Sequence, residues 1–286
     1  MNNIELATIY LPLLDEVYKA ESKTAILDGD EVTVQKGQHG EIKVAKLDMD
    51  GLGDYTRNSG YTKGSTKFVW ETIKYDKERS QELRIDRLDN EESLGILFSK
   101  LSGEFIRTKV IPETDAARFA KISSVDGISK KAETLADGAA AIAALRTCAN
   151  KMDEDEVSPE NRILWLTPTL KGLIDDLDTT KSKKILEKFS TIIEVPQSRF
   201  YTAITLNPGT ENSYGYKKAE DGKNINFMCV EKSAAVTAMD QYVKYFTPDQ
   251  DQNGDDNVFD YRNNNLYGHV YENKRAGVYV SYDDAA

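Results

Sequence analysis

The sequence predicts an α+β fold in which a projecting β-hairpin, a long helix and a mixed α/β unit follow one another along the chain. Three observations support this prediction. A polar, glycine-rich stretch at residues 48–67 is flanked on both sides by strand-like patterns. Apolar residues recur at helical spacing over residues 90–122. Strand-like segments then alternate with a helical one over residues 162–230, which is typical of an α/β unit.

Composition places the chain among acidic globular proteins. It has 286 residues, of which 40% are hydrophobic, so it can bury a sizeable core. Its net charge of −11 disfavours general binding to nucleic acid or anionic membranes, because long-range repulsion opposes both. No apolar run is long enough to predict a transmembrane helix, and the N-terminus lacks the pattern of a signal peptide. The two cysteines, Cys148 and Cys229, favour synthesis in a reducing cytoplasm.

Residues 1–24 are predicted to form an amphipathic arm. Pro12 interrupts its helical apolar pattern. The residues of that pattern are Leu6, Ile9, Tyr10, Leu13, Leu14 and Val17. Two interpretations remain open: the arm packs on the core of its own chain, or it reaches a neighbouring subunit.

A long β-hairpin is predicted to project from the body of the protein. Residues 25–50 are rich in strand-like segments, and residues 68–75 alternate with a period of two. The stretch 48–67 between them is too long and too polar for an ordinary connection. Because a single hairpin is only marginally stable in water, we expect this one to rest on another surface.

The strongest local signal is the long helix over residues 90–122. Asp89 or Asn90 can cap it, and acidic residues follow where the positive end of the helix favours them. Its apolar positions fall at three- and four-residue steps, at Leu94, Leu97, Phe98, Leu101, Phe105, Ile106, Ala116, Phe119, Ala120 and Ile122. Pro112 lies inside this pattern and is expected to end or kink the helix.

An α/β unit is predicted next. Residues 132–152 favour a second helix, residues 162–167 a buried strand, and Pro168 begins a third helix. Two more strands are predicted at 192–195 and 225–230, separated by a polar loop.

The C-terminal part is predicted to return to β structure. A helix at 233–240 is expected to precede a strand at 242–246. Residues 268–271 and 277–282 are then expected to pair as a closing hairpin.

Nothing in the sequence predicts catalysis. His39 and His269 belong to no cluster with metal-ligand spacing. The sequence contains no phosphate-binding glycine loop and no nucleophile elbow. We therefore expect no enzymatic activity, and we assign no catalytic residue, cofactor site or metal site.

One acidic loop imitates the spacing of a calcium-binding loop. Asp249, Asp251 and Asn253 occupy positions one, three and five, with Gly254 and Asp260 at positions six and twelve. Three features oppose this interpretation: position eight is acidic, the last ligand is shorter than glutamate, and no convincing helices flank the loop. The alternative is a polar surface loop with local turns.

Two stretches carry a resemblance to the major capsid proteins of tailed bacteriophages, which have the Hong Kong 97-type fold. Across the long helix the similar residues are Asp86, Asp89, Asn90, Glu91, Glu104, Phe105, Val110, Pro112, Glu113, Asp115, Arg118 and Phe119. Near the C-terminus they are Tyr261, Arg262, Lys274, Gly277 and Tyr279. The order of arm, hairpin, helix and α/β unit matches the same fold over nearly the whole chain.

The resemblance implies a division of the chain into the parts of that fold. It places an N-terminal arm at 1–35, an extended β-hairpin loop at 36–83 and a peripheral domain with the spine helix at 84–131. An α/β axial domain follows at 132–241, and residues 242–286 return to the peripheral domain.

The resemblance also implies a function, self-assembly through pentamers and hexamers into the icosahedral shell around the double-stranded DNA of a tailed phage. The implied partners are other copies of the chain, a separate scaffolding protein, a portal and head-completion proteins. DNA would be enclosed without sequence-specific binding, and no membrane is involved. The implied location is the virion, after synthesis in the host bacterial cytoplasm.

Two other functions stay open at this point. The first is an encapsulin-like nanocompartment shell of the same fold, and the second is a calcium-dependent acidic binding protein. Some phage capsid proteins cross-link their subunits through a lysine on the extended loop. Lys63 and Lys67 lie near the hairpin tip, but the sequence supplies no catalytic partner, so cross-linking is not expected.

Deletion of residues 51–64 is expected to leave a folded subunit that fails to form stable shells, because the predicted tip serves contacts between subunits. Circular dichroism tests the fold and electron microscopy tests the shells. Global unfolding of the shortened chain would contradict this expectation.

Overall fold

The computed structural model describes residues 22–29, 34–36, 41–55, 57, 60–87, 102–177, 184–210, 212–250 and 254–284. The predicted arm over residues 1–21 and the first part of the predicted long helix, with Asp89 and Asn90, lie outside this range. Its regular elements, in chain order, are β1 (Val34–Lys36), β2 (Glu41–Met49), β3 (Thr66–Lys74), β4 (Lys77–Asp86), α1 (Ile111–Ser124), β5 (Ser129–Ala132), α2 (Gly138–Glu154), β6 (Arg162–Leu166), α3 (Pro168–Asp175), β7 (Thr191–Glu194), β8 (Ile204–Leu206), β9 (Tyr216–Lys218), β10 (Asn224–Glu231), β11 (Ala235–Phe246), β12 (Asp256–Val270) and β13 (Val278–Asp283).

A five-stranded mixed sheet, in the order β5-β13-β10-β6-β7, forms the centre of the α/β unit. One face packs Leu164, Leu166 and Phe227 against α2 and α3. The other face packs Trp165 and Met228 against side chains that include those of α1. Because both faces are covered, every residue of β6 is buried, which explains its continuous apolar pattern. The predicted strand at 162–167 and the helix beginning at Pro168 are confirmed.

Helix α2 begins six residues later than predicted. Residues 129–132 form strand β5, which pairs in parallel with β13, and the backbone N–H of Glu133 still bonds to Tyr282. The helix starts only after Asp137, whose carboxylate accepts a hydrogen bond from the N–H of Ala140 at 2.7 Å. The sequence pattern missed this start because Leu135 has helical spacing but packs from the preceding loop.

The predicted helix at 233–240 is wrong. Residues 235–246 form one continuous strand, β11, which pairs antiparallel with β12 from Ala235↔Val270 to Phe246↔Val258. Alanine-rich sequence suits a helix locally, but the long neighbouring strand supplies a complete ladder of hydrogen bonds. A register shift between Val236 and Ala238 adapts the strand to its partner.

The predicted closing hairpin is also wrong. Strand β12 lies in a three-stranded sheet with β11 and β4, whereas β13 lies in the five-stranded sheet between β5 and β10. A 3₁₀ segment, Glu272–Gly277, carries the chain from one sheet to the other. Strand β5 spans the domain boundary predicted at 131. Strand β13 belongs to the segment predicted to return to the peripheral domain, yet it lies in the five-stranded sheet of the α/β unit. The predicted division into domains stays a prediction.

The described part of the long helix, residues 102–124, continues through Pro112 instead of ending there. Residues Ile106–Val110 form a π turn immediately before the proline, and the N–H of Ile111 bonds to the carbonyl of Ile106. The irregularity expected from the missing proline N–H is therefore a widened turn. None of the described helices combines the length and the apolar character needed to cross a membrane.

The predicted hairpin is confirmed. Strands β2 and β3 pair in register from Glu41↔Lys74 to Met49↔Thr66, and β1 adds a short third strand. Strand β4 turns away from them and pairs with β12. Inside the polar loop predicted at 207–224, β9 pairs with β8 in a small hairpin that the sequence pattern did not indicate.

Two glycines test the packing of α2 on α3. A Cβ added at Gly138 would fall 2.1 Å from the carbonyl oxygen of Leu173, whereas one added at Gly172 would meet nothing within 4 Å. Gly138→Ala is expected to lower the free energy of unfolding by about 1–3 kcal/mol through overpacking. The control Gly172→Ala, inside α3, is expected to raise it by about 0.5–1 kcal/mol. Urea unfolding measures both, and an unchanged Gly138→Ala protein would contradict the packing described.

Candidate assembly surface

The hairpin presents an apolar face to solvent. Leu47 and Phe68 are directly opposite each other on β2 and β3 and are 49% and 57% exposed. Met49, two residues further along β2, is 64% exposed. The ring of Phe68 contacts that of Trp70 edge to face at 5.5 Å, which places both rings on this side of the hairpin. A contiguous apolar face of this kind is typical of a contact surface for another molecule.

The hairpin tip closes around Asp50. Its backbone N–H bonds to the carbonyl of Ser65, and its carboxylate accepts the N–H of Ser65 at 2.7 Å. Beyond this closure Leu52 is fully exposed, and the rings of Tyr55 and Tyr61 contact each other at 5.2 Å. Lys63 and Lys67 are exposed here as well. The tip thus carries large side chains that the described fold leaves in water.

The base of the hairpin is anchored to the body by two successive residues. The hydroxyl of Tyr75 donates a hydrogen bond to the carboxylate of Asp240, and burial together with that carboxylate raises the pKa of Tyr75. Asp76 accepts hydrogen bonds from the amino group of Lys121 at 2.7 Å and from the N–H of Tyr267 at 2.9 Å. These contacts determine the direction in which the hairpin leaves the body.

Asp115 of α1 fastens residues 22–29, here called the strap, to the long helix. Its fully buried carboxylate accepts hydrogen bonds from the hydroxyl of Ser22 at 2.7 Å and the hydroxyl of Thr24 at 2.6 Å. The backbone N–H groups of Lys23 and Thr24 donate to the same carboxylate. A buried charge persists only where such donors replace water, so the strap belongs to the folded core.

Arg118, one turn further along α1, holds the other end of the strap. Its fully buried guanidinium lies 2.7 Å from the carboxylate of Asp28, which also accepts the hydroxyl of Thr237 at 2.8 Å. The indole N–H of Trp165 donates to the strap carbonyl of Lys23 at 2.8 Å. The strap is thus bonded to the long helix, to β11 of the β11–β12–β4 sheet and to β6 of the five-stranded sheet.

Glu113 connects the long helix to strand β4 and to the small β8–β9 hairpin. Arg79 of β4 donates two hydrogen bonds to its carboxylate, at 2.7 and 3.1 Å. The same guanidinium donates to the backbone carbonyl of Asn207 at 2.7 Å, beside the small β8–β9 hairpin. The hydrogen bond with Glu113 raises the pKa of Arg79 despite partial burial. Three residues of the first capsid-like stretch, Glu113, Asp115 and Arg118, therefore anchor the strap and strand β4 to this helix.

The C-terminal capsid-like residues have packing roles. A Cβ at Gly277 would fall 2.8 Å from that of Ala234, so the chain needs glycine there. Lys274 donates to the hydroxyl of Ser233 at 2.9 Å, and the ring of Tyr279 is stacked parallel to that of Phe227.

Tyr261 and Arg262 lie on opposite faces of β12. Tyr261 is buried, and its hydroxyl donates to Gln241 at 3.1 Å. Arg262 is exposed, lies over the ring of Tyr242 and pairs with Glu78 at 3.3 Å.

The described part of the calcium-like loop does not have the geometry of a calcium site. Asp251 and Asn253 lie outside the described residues. Asp249 and Asp255 pair with Arg87 at 3.3 and 3.6 Å. Asp260 lies within the extended strand β12 and not at the end of a loop.

Asp260 also lies directly across from Glu82 of β4. Burial and that neighbouring carboxylate raise the pKa of Asp260.

No metal-binding group is formed by three or more histidine, cysteine or acidic side chains in the described part of the chain. Of the two histidines, His269 packs edge to face on the ring of Tyr271 at 5.3 Å, and His39 lies outside the described residues.

The sequence pattern did not indicate which residues bind the long helix. Thr24, Asp28 and Arg79 do so, yet each lies more than 30 positions from the helix residue that it contacts. Their polar character alone is common on any surface. The capsid-like motif supplied a signal for one side of each contact only.

Comparison with solved structures identifies the fold. The chain is similar to the capsid of cyanophage P-SCSP1u, with 14% identity, a TM-score of 0.58, and coverage of 87% of this chain and 84% of that one. A virus-like particle from Pyrococcus furiosus matches with 10% identity, a TM-score of 0.57, and coverage of 95% and 99%. The capsid of Staphylococcus phage Andhra matches with 9% identity, a TM-score of 0.54, and coverage of 90% and 83%.

No protein-family model and no curated protein sequence matches the chain. The structural likeness establishes the fold: the chain has the α+β capsid fold that these structures share. The fold class predicted from the sequence resemblance is confirmed.

Asp115→Ala is expected to lower the free energy of unfolding by about 3–5 kcal/mol, because it leaves the buried strap donors and the guanidinium of Arg199 without their carboxylate. Glu104→Ala is the matched control: its carboxylate also lies on the long helix and pairs with Arg107 at 2.7 Å, but on the surface. That change is expected to cost less than about 0.5 kcal/mol. Urea unfolding compares the two, and equal losses would contradict the role of the strap contact.

Proposed function

We propose that this chain is the major capsid protein of a tailed bacteriophage, which assembles through pentamers and hexamers into an icosahedral shell around double-stranded DNA. The observation that carries the proposal is the exposed apolar face of the hairpin, with Leu47, Met49 and Phe68 largely in water. A single subunit gains nothing from such a face, whereas contact with a neighbouring copy would bury it. The shared capsid fold supports the same conclusion.

The acidic balance of the chain supports enclosure of DNA without adhesion to it. A net charge of −11 repels the phosphate backbone, so the wall would confine the genome by its closure rather than by binding. The proposal therefore includes a structural, non-enzymatic role in the virion. It also includes synthesis in the bacterial cytoplasm and, as partners, a separate scaffolding protein, a portal and head-completion proteins.

A nanocompartment shell is the second candidate function. The observation behind it is the likeness, over 95% of this chain, to a virus-like particle from Pyrococcus furiosus that is not described as a phage capsid. The contents of purified particles distinguish the two functions. A phage capsid would hold DNA when isolated from infected cells, whereas a nanocompartment would hold protein cargo.

Two neighbouring residues of β3 provide a matched test of the assembly surface. Phe68→Lys puts a charge on the apolar face, whereas Val69→Lys puts the same charge on the opposite face of the strand, since successive side chains alternate. We expect wild-type chain and Val69→Lys to form closed shells, or rings of five and six subunits. We expect Phe68→Lys to remain dissociated, because shell formation would bury its charge. Negative-stain electron microscopy and light scattering of the purified chains provide the measurement.

Three results, from that experiment and from two added measurements, would contradict the proposal or the contact surface assigned to it. One is a wild-type chain that stays monomeric even when it is produced together with its candidate scaffolding protein. Another is calcium-dependent thermal stabilisation of such a monomer, which would favour the acidic binding protein. The third is normal assembly of Phe68→Lys, which would mean that this face is not the contact surface.

A further inference from the structure

A large groove lies among the described residues, between the long helix, β4, β12 and the small β8–β9 hairpin. Its volume is about 940 Å³, near the upper end of the roughly 300–1,000 Å³ typical of ligand sites. Its apolar and aromatic lining includes Leu83, Phe105, Pro112, Tyr201, Tyr216 and Tyr261. This volume fits a short peptide segment better than a single side chain.

The groove is basic in a protein that is acidic as a whole. Among the described residues, its charged lining comprises four basic side chains and one carboxylate, namely Arg79, Lys109, Lys217, Lys218 and Glu113. Arg79 already pairs with Glu113, so that carboxylate does not neutralise the lysines. Lys109 on the long helix and Lys217 on β9 are both exposed. An acidic segment would therefore be favoured over a neutral or basic one.

The strap begins beside one end of this groove. Ser22 bonds to Asp115, whose carboxylate also lies 3.4 Å from the guanidinium of Arg199. The adjoining Ser198 lines the groove, and its carbonyl accepts the hydroxyl of Tyr216, another lining residue, at 2.8 Å. The 21 residues that precede Ser22 therefore join the described fold a few contacts from the groove.

Those 21 residues have the matching chemistry. They contain four acidic residues, Glu5, Asp15, Glu16 and Glu21, and one basic residue, Lys19. Their apolar stripe suits the aromatic lining. Asp15 and Glu16 precede Ser22 by only seven and six positions, and an extended chain of that length covers about 20 Å, at roughly 3.3 Å per residue. By contrast, the hairpin tip of a second copy carries balanced charges, with Asp50 and Asp54 against Arg57 and Lys63.

We propose that residues 1–21 occupy the basic groove of their own chain, with Asp15 and Glu16 facing Lys109 and Lys217. This placement of the arm goes beyond the proposed shell assembly, because it is a property of the single subunit and holds whether or not the chain forms a shell. It also selects one of the two interpretations that the sequence left open for the arm.

Hydrogen exchange of residues 1–21 in the full-length chain tests this proposal at concentrations where light scattering shows a monomer. We expect the wild-type arm to be protected. Lys109→Glu with Lys217→Glu should accelerate its exchange about tenfold, because two attractions become repulsions. Asp15→Lys with Glu16→Lys should have the same effect while leaving the groove intact. The chain with all four substitutions should regain protection.

The matched control is Lys130→Glu with Lys232→Glu, which makes the same change in net charge at exposed positions outside the groove. It should leave the exchange of the arm unchanged. Protection of the buried strand β6 in every variant shows whether the fold is intact. The arm-side variant keeps the test valid if the groove variant fails to fold.

Several results would overturn the proposal. The first is an unprotected wild-type arm, and the second is protection that neither charge reversal alters. Protection that rises with protein concentration would mean that the arm of a second copy fills the groove. If Lys109→Glu with Lys217→Glu changes hydrogen exchange at residues 51–64 instead of in the arm, the groove would be assigned to the hairpin of a neighbouring copy.

Discussion

The buried carboxylate of Asp115 is the interaction on which the arrangement of the body depends. A charge removed from water costs several kcal/mol unless hydrogen bonds and a counter-charge replace the lost hydration. Here the replacement comes from a segment 93 positions away in sequence, at Ser22. The helix can therefore bury this side chain only when the strap is in place. The contact couples the first described residues of the chain to its core, so we expect the strap and the core to fold and unfold together.

The long helix fastens several separate elements through neighbouring residues. Glu113 holds β4 and the β8–β9 hairpin through Arg79, and Asp115 holds the strap. Lys121, near the end of α1, holds the base of the projecting hairpin through Asp76. These residues lie within about two to three turns of one rigid helix. The strap, the β2–β3 and β8–β9 hairpins and the β11–β12–β4 sheet therefore keep fixed positions relative to one another.

The sequence predicted what is encoded locally. The hairpin followed from two alternating segments around a glycine-rich tip, and β6 followed from an unbroken apolar run. The helix predicted at 233–240 was wrong because its alanines favour a helix locally, whereas pairing with the neighbouring strand β12 outweighed that preference. For the candidate site, the capsid-like motif indicated Asp115 and Arg118 but not their partners. Those partners depend on how distant segments meet, which no local pattern records.

The anchored base makes the hairpin a lever. Its nine-residue strands reach about 30 Å from the body at roughly 3.3 Å per residue. A rotation of about 10° at the base would therefore carry the tip through about 5 Å, more than the width of one strand-to-strand spacing. Two small side-chain contacts, from Tyr75 to Asp240 and from Asp76 to Lys121, thus limit how far the tip can move. In a shell of the kind proposed, the angle between neighbouring subunits would therefore depend on the contacts at the base of each hairpin more than on those at its tip.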